Sequence, residues 1–136
     1  MADPSRIRTL VHEKLAGRMI DPAGFIGELL TLLQEPGDIR CTLAGETTLR
    51  FQVGGHRVDI ELDAARAKLR MLCARLSVLC KPENGRAVSP YGGTGSIPRD
   101  GAPPCSVSFK NTPEEHQFTL ALPVAIPSGI PNASAQ

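Results

Sequence analysis

Two N-terminal segments carry apolar residues with the period of an amphipathic helix. Each opens with the pair Asp-Pro, at Asp3-Pro4 and at Asp21-Pro22, which is typical of an N-cap followed by the first helical position. The pattern predicts one helix over residues 4–18 and a second that ends before Pro36. The apolar positions are Ile7, Leu10, Val11 and Leu15, then Phe25, Ile26, Leu29, Leu30 and Leu33.

From Ile39 the apolar period changes to two, which indicates β-strands. Three alternating segments follow one another, and Gly54-Gly55 supplies the turn of a tight hairpin between the second and third. Pairing Val53 with His56 sets Arg50 opposite Asp59 on the polar face, so we interpret these two charges as a structural ion pair. The other predicted pairs are Phe51 with Val58, Leu49 with Ile60 and Gln52 with Arg57.

Residues 64–80 predict a third helix, for which Asp63 is the expected N-cap. The density of Leu, Val and Cys over 68–80 leaves a strand as the alternative. If the segment is helical, Cys73 and Cys80 lie about 10 Å apart along its axis, too far to form a disulfide.

The segment 82–104 is rich in Pro and Gly and shows no period, so we predict a long loop there. Alternation returns in two runs, Cys105–Phe109 and Phe118–Leu122, joined by the turn residues 111–114, and this pattern predicts a C-terminal hairpin. We expect an irregular tail over 123–136, which is rich in Pro, Ala and Ser.

These elements predict an α+β fold. We expect an antiparallel sheet of about five strands, a three-stranded meander plus the C-terminal hairpin, packed against two N-terminal helices and one central helix in a single domain over 1–122. The order of elements looks like that of small secretion-chaperone folds, which dimerise and bind effector segments. The final helix of that pattern is missing here.

Composition narrows the function classes. The 136 residues carry a net charge of +1, so no strong overall field attracts nucleic acid or an anionic membrane. The N-terminus lacks the signature of a secretory signal, and no apolar run approaches the length of a membrane span. Four cysteines without a CxxC pair, each in an apolar stretch, fit buried thiols in a reducing compartment. We therefore expect a cytoplasmic protein that does not contact a membrane, and nothing implies a cofactor or a metal.

The loop over 89–104 is the leading candidate for a ligand site. Successive glycine amides can line an anion-binding concavity, although the spacing matches neither a P-loop nor a dinucleotide fingerprint. On this hypothesis Gly93→Val abolishes ligand binding and leaves the fold intact. The candidate residues of the loop are Tyr91, Gly92, Gly93, Thr94, Gly95 and Ser96.

Two other clusters are candidates for chemistry. The histidines His56 and His116, with Glu114 and Glu115, offer an open metal site, but solvated surface histidine is the simpler interpretation for them and for His12. The second cluster is basic, and the third helix places Arg66 and Arg70 on one face where they could contact phosphates. It also includes Arg50, Arg57 and Arg75.

No nucleophile elbow, paired-carboxylate pattern or exposed reactive cysteine points to an enzyme. The sequence favours a non-catalytic protein-binding module or a small chaperone-like adaptor, whose partner is another protein or a second copy in a homodimer. Nucleic-acid binding through the central arginines is one alternative, which the net charge disfavours. A small-ligand or anion site in the loop is the other.

Overall fold

The computed structural model describes residues 4–17, 19–33, 37–82, 88–99 and 101–122. The helices are α1 (Pro4–Lys14), α2 (Pro22–Leu32) and α3 (Ala65–Leu79). The strands are β1 (Gly37–Gly45), β2 (Thr48–Val53), β3 (His56–Glu61), β4 (Lys81–Pro82), β5 (Gly92–Arg99), β6 (Ala102–Asn111) and β7 (His116–Leu122).

The strands form one antiparallel sheet in the order β3-β2-β1-β7-β6-β5-β4. Alternate residues of each strand are buried, and the helices cover this inner face, whereas the outer face carries polar side chains. The α+β class is therefore confirmed. Six strands have at least six residues, one more than expected, and the two-residue β4 extends the sheet at one edge.

The first hairpin has the register that the sequence predicts. Val53 pairs with His56, and Arg50 lies opposite Asp59. The Nε of Arg50 donates to the Oδ1 of Asp59 at 2.9 Å, which confirms the structural ion pair. Large apolar residues on one face and complementary charges on the other favour the same register, so a slip by one residue would bury the charges.

The helix boundaries differ from the expectations in two places. Helix α1 ends at Lys14 rather than at residue 18. Gly17 adopts a φ of +90°, which is not helical, and the Asp21 backbone N–H donates to the Lys14 carbonyl at 2.7 Å. Asp21 caps α2 as predicted, since its Oδ1 accepts from the Gly24 N–H at 2.9 Å. Asp63 is not the cap of α3. That position belongs to Ala64, in the left-handed conformation and without a side-chain hydrogen bond.

The central segment is a helix, so the strand alternative for 68–80 is wrong. Helix α3 packs on the sheet through a face that includes Ala65, Leu69, Leu72, Cys73 and Leu76. The core that it covers continues under α1 and α2, where the Phe25 and Phe51 rings meet with centroids 6.2 Å apart. Helical periodicity of large apolar residues decides the structure here.

The predicted loop over 82–104 is wrong for residues 92–99, which form β5 along β6. Glycine hides this strand from an apolar pattern, because Gly93, Gly95 and Ile97 take the inward positions opposite Phe109, Val107 and Cys105. Gly95 allows the end of α3 and β4 to pack directly on the sheet. A Cβ at Gly95 would lie 2.2 Å from the Lys81 carbonyl oxygen and 2.6 Å from the Cys80 Sγ. The predicted tail over 123–136 lies outside the described residues.

The C-terminal hairpin is confirmed as β6 and β7, with Phe109 opposite Phe118. Since β5 and β4 extend the sheet beyond this hairpin, the chain departs from the order of elements of the secretion chaperones, in which two strands follow the central helix. None of the helices in the described segments is long and apolar enough to cross a bilayer.

Candidate functional site

The glycine-rich segment does not form an anion cradle. Gly92, Gly93, Thr94, Gly95 and Ser96 each pair with a residue of β6, so their backbone groups belong to a regular ladder. Gly92 and Gly93 both have a φ of +154°, which L side chains rarely adopt, and a Cβ at Gly93 would lie 3.3 Å from the Val88 Cα. Gly93→Val would therefore strain the strand, contrary to the expectation that it leaves the fold intact.

Three of the predicted site residues meet at one end of the sheet. Tyr91 precedes β5, whereas Arg66 and Arg70 lie on the first two turns of α3, and all three line a cleft of about 360 Å³ with the β6–β7 turn. Tyr91 is 68% exposed there. The remaining lining residues are Pro90, Asn111, Thr112, Pro113 and His116.

The two arginines of this cleft differ in their partners. The guanidinium of Arg66 contacts the Glu46 carboxylate at 3.0 Å, and this hydrogen bond lowers the pKa of Glu46. The side chain of Arg70 forms no ion pair within the described part of the chain. Arg70 is therefore the cleft arginine whose charge no described acidic residue pairs.

His116 is a site residue whose environment the sequence analysis missed. It is 6% exposed, so the prediction of a solvated histidine is wrong here, whereas His12 and His56 are exposed as expected. Its place in the alternation of Phe118, Leu120 and Leu122 is the signal that could have found it.

The hydrogen bonds around His116 indicate which of its two ring nitrogens carries the proton. Asn111 donates its Nδ2 to the Arg70 carbonyl at 3.5 Å, which leaves the Asn111 Oδ1 to accept from the His116 Nδ1 at 2.9 Å. Burial lowers the pKa of His116, and the charges of Arg66 and Arg70 lower it further. At neutral pH the imidazole is thus neutral, with its Nε2 as an acceptor.

The hypothesis of a shared metal site fails on geometry. His56 adjoins the β2–β3 turn, whereas His116 adjoins the β6–β7 turn at the opposite end of the strands. Among the described residues, no three His, Cys, Asp or Glu side chains lie close enough together to hold a metal ion.

The central arginines do not form one basic surface. Arg50 and Arg57 lie on the outer face of the sheet, and both contact Asp59, whose pKa the Arg50 hydrogen bond lowers. Arg66, Arg70 and Arg75 lie on α3, on the other side of the sheet. A nucleic-acid strand laid along either surface would meet only part of the cluster.

The solvent-facing side of α3 has an unusual composition that the sequence analysis did not single out. Four exposed apolar residues, which we call the α3 stripe, follow one another at spacings of four, three and four: Ala67, Met71, Ala74 and Val78. Met71 is 42% exposed and Val78 is 73% exposed. The outward side of a surface helix ordinarily carries charged or polar residues. The spacing of these four residues is the signal in the sequence from which the stripe can be predicted.

The α3 stripe is continuous with the cleft. A shallow depression joins Ala67, Met71 and Ala74 to Arg70 and Asn111, and these last two residues also line the cleft. Tyr91, Arg70 and the stripe thus form one surface with an exposed aromatic ring, an unpaired guanidinium and an apolar row. Aromatic residues and arginine are enriched among the residues that dominate binding energy at protein interfaces.

Three of the cysteines, Cys41, Cys73 and Cys105, do not offer a nucleophile. All four cysteines are buried, and none forms a disulfide with another. Burial raises the pKa of Cys73 to about 12 and that of Cys41 and Cys105 above the ordinary thiol value. These three thiols are therefore protonated at neutral pH, whereas the thiolate is the reactive form.

Comparison of the chain with protein-family models and with the curated proteins finds no match in either.

Proposed function

We propose that this protein is a non-catalytic protein-binding module and that the α3 stripe, with the adjoining Arg70 and Tyr91, is its main binding surface. The observation that carries the proposal is the exposure of Met71 and Val78. Both lie along the centre line of the solvent-facing side of α3, and no charged residue lies on that line. Contiguous exposed apolar residues of this kind mark interaction sites. The four buried cysteines, which form no disulfide with one another, support a reducing compartment, and we propose the cytoplasm.

The test compares co-purification of partners by three forms of the full chain from cells that naturally express it. Val78→Glu places a charge on the stripe, and Thr94→Glu places the same charge on the exposed outer face of β5. We expect the wild type and Thr94→Glu to retain the same stoichiometric partner and Val78→Glu to lose it. Equal recovery by all three folded proteins would contradict the proposal.

A second copy of the chain is a candidate partner at a different place, the edge strand β3. The Leu62 N–H bonds the Thr47 carbonyl at 2.8 Å, so alternation along the strand turns the backbone groups of Arg57, Asp59 and Glu61 away from β2. If two β3 strands pair antiparallel with Asp59 at the centre, Arg57 of each copy lies opposite the partner's Glu61. The dimer then contains two such ion pairs. The two Asp59 side chains would face each other, each held by its own Arg50.

Sedimentation of three full-chain proteins tests this dimer. Arg57→Glu should convert the dimer to a monomer because it sets like charges opposite each other, and the double variant Arg57→Glu/Glu61→Arg should restore it. A monomeric wild type, or a dimer that Arg57→Glu leaves intact, would refute pairing through β3. Neither outcome bears on the α3 surface.

A further inference from the structure

The residues beside the α3 stripe are basic. The spacing of the stripe is that of the a and d positions of a heptad, with Ala67 and Ala74 at d and Met71 and Val78 at a. The flanking e positions are then Lys68 and Arg75, and the g positions are Arg70 and Ser77. In coiled coils the e and g side chains select the partner helix through their charges.

No acid neutralises these flanks. Helix α3 contains no Asp or Glu, so it has no internal ion pair between successive turns. Lys68, Arg70 and Arg75 form no ion pair with any residue that the structure describes. The Nε of Arg75 is buried and has no hydrogen-bond partner among those residues. Three cationic side chains therefore border the apolar row without an ion pair to any of the described residues.

We propose that the partner of the α3 surface is an acidic amphipathic helix, which lays its apolar a and d residues along the stripe and sets Glu or Asp against Lys68, Arg70 and Arg75. This inference rests on the proposed function and specifies the chemistry of the partner. A second α3 is a poor occupant, because basic e and g residues would face basic e and g residues in either orientation.

The stripe fixes the length of the contact. Residues 67–78 of a helix span about 16 Å, so the partner needs roughly three turns. An interface of this size belongs to the weak, transient class, for which a dissociation constant on the order of micromolar is expected. Charge pairing then makes a large relative contribution, and binding should weaken as salt rises.

The test measures the binding of two designed helical peptides to the full chain by fluorescence anisotropy. The peptides share Leu at a and d and differ only at e and g, with Glu in one and Lys in the other. We expect the wild type to bind the Glu peptide about tenfold more tightly, because several pairs that attract in one complex repel in the other.

Two charge-reversal variants make the result specific. Lys68→Glu/Arg70→Glu/Arg75→Glu should reverse the preference toward the Lys peptide. Arg6→Glu/Arg8→Glu/Arg40→Glu changes the net charge equally at exposed positions elsewhere and should keep the preference for the Glu peptide. Circular dichroism and thermal unfolding establish that both variants fold. Equal affinity for the two peptides, or an unchanged preference in the α3 variant, would overturn the inference.

Other occupants give distinct results. Tighter binding to vesicles of equal phosphatidylserine and phosphatidylcholine than to the Glu peptide, lost in the α3 variant, would assign the surface to a membrane and overturn the inference. If the wild type is a dimer that Val78→Glu dissociates, the α3 surface binds a second copy of the chain, and the inference of an acidic helix is overturned as well. If Val78→Glu releases a cellular partner but the peptides bind equally, the proposed function stands and only the acidic helix is refuted.

Discussion

The outer face of the sheet and the outer face of α3 are both exposed to solvent, but they handle charge differently. On the sheet, several charged residues have an oppositely charged partner: Arg50 contacts Asp59 from the neighbouring strand, Arg57 contacts Asp59 within β3, and Lys110 lies 3.5 Å from Glu115. On α3, Lys68, Arg70 and Arg75 lack an acidic partner in the described structure and border four apolar residues. The sheet surface thus combines both signs of charge in ion pairs, whereas the stripe side of α3 carries only positive charge.

The difference lies in placement rather than in composition. The chain contains 14 acidic and 15 basic residues, enough to pair nearly every charge, yet α3 has no acid of its own. Antiparallel strands bring complementary residues together across the sheet. Within an exposed helix, charges pair with residues one turn away, and in α3 only Arg66, close to the start of the helix, reaches a described acid outside the helix, Glu46. This difference supports the proposal that the stripe side of α3 binds a partner.

The sharpest contrast should appear between neighbouring residues of α3. Leu72 is fully buried against the core, whereas Met71 faces solvent. We expect Leu72→Ala to reduce the free energy of unfolding by about 2–5 kcal/mol through lost burial and a residual cavity. Met71→Ala should change it by less than about 0.5 kcal/mol. Urea denaturation measures both, and a comparable loss in Met71→Ala would show that the stripe is part of the core.

The next largest effect should separate the two faces of β5. Gly95→Val places a side chain against the Lys81 carbonyl and the Cys80 sulfur, so it should destabilise the fold by roughly 1–3 kcal/mol through overpacking. Thr94→Val, one residue earlier on the exposed outer face, is the matched control and should be nearly neutral. Thermal unfolding of the pair decides the point. A tolerated Gly95→Val would mean that α3 does not pack closely on this strand.

A smaller effect should appear as a pH dependence that originates at His116. Since burial lowers its pKa in the fold, the unfolded chain binds the proton first. Stability is therefore expected to fall as pH drops below 6.5, the ordinary pKa of histidine, and to level off below the lowered pKa of His116 in the folded state. His116→Gln should reduce this dependence between pH 7 and 5, whereas His56→Gln, at an exposed position, should retain it. Identical pH profiles for wild type and His116→Gln would contradict the burial argument.

The smallest effect should come from the outer face of the sheet. Asp59→Asn removes the partner of Arg50. Because the fold lowers the pKa of Asp59, the contribution of this ion pair to stability is present above 3.8, the ordinary pKa of aspartate, and is lost as pH falls through the lowered pKa. We expect a slight destabilisation at neutral pH that disappears in acid. Partner recovery should not change. If Asp59→Asn abolished capture of the partner bound through α3, the division between the two surfaces would be wrong.

The sequence predicts the parts of this fold in which large apolar residues carry the period. The β2–β3 register follows from Phe51, Val58 and the Arg50–Asp59 pair, which agree on one alignment. Strand β5 cannot be predicted in this way, because Gly93 and Gly95 occupy its inward positions and a glycine-rich segment is typical of a loop. The close approach of Lys81 that makes glycine suitable there is a long-range contact, and no local pattern reports it.

The sequence predicts individual residues of the site but not their arrangement. Arg66, Arg70 and Tyr91 could be named from the sequence, but their meeting with His116 depends on how α3 lies across the ends of β6 and β7. The stripe could have been read from its spacing once the segment was known to be a helix. Which of its two apolar faces turns to solvent is decided by packing, because Leu69, Leu72 and Leu76 make the larger face.

Site-specific photo-crosslinking tests directly whether the outer face of α3 contacts another protein, as we propose. A benzophenone amino acid replaces Val78 and, as the control, Thr94 on the outer face of the sheet. We expect irradiation of living cells to give a discrete adduct to one other protein from position 78 and none from position 94. The absence of a protein adduct at position 78, or the same adduct from both positions, would contradict the proposal.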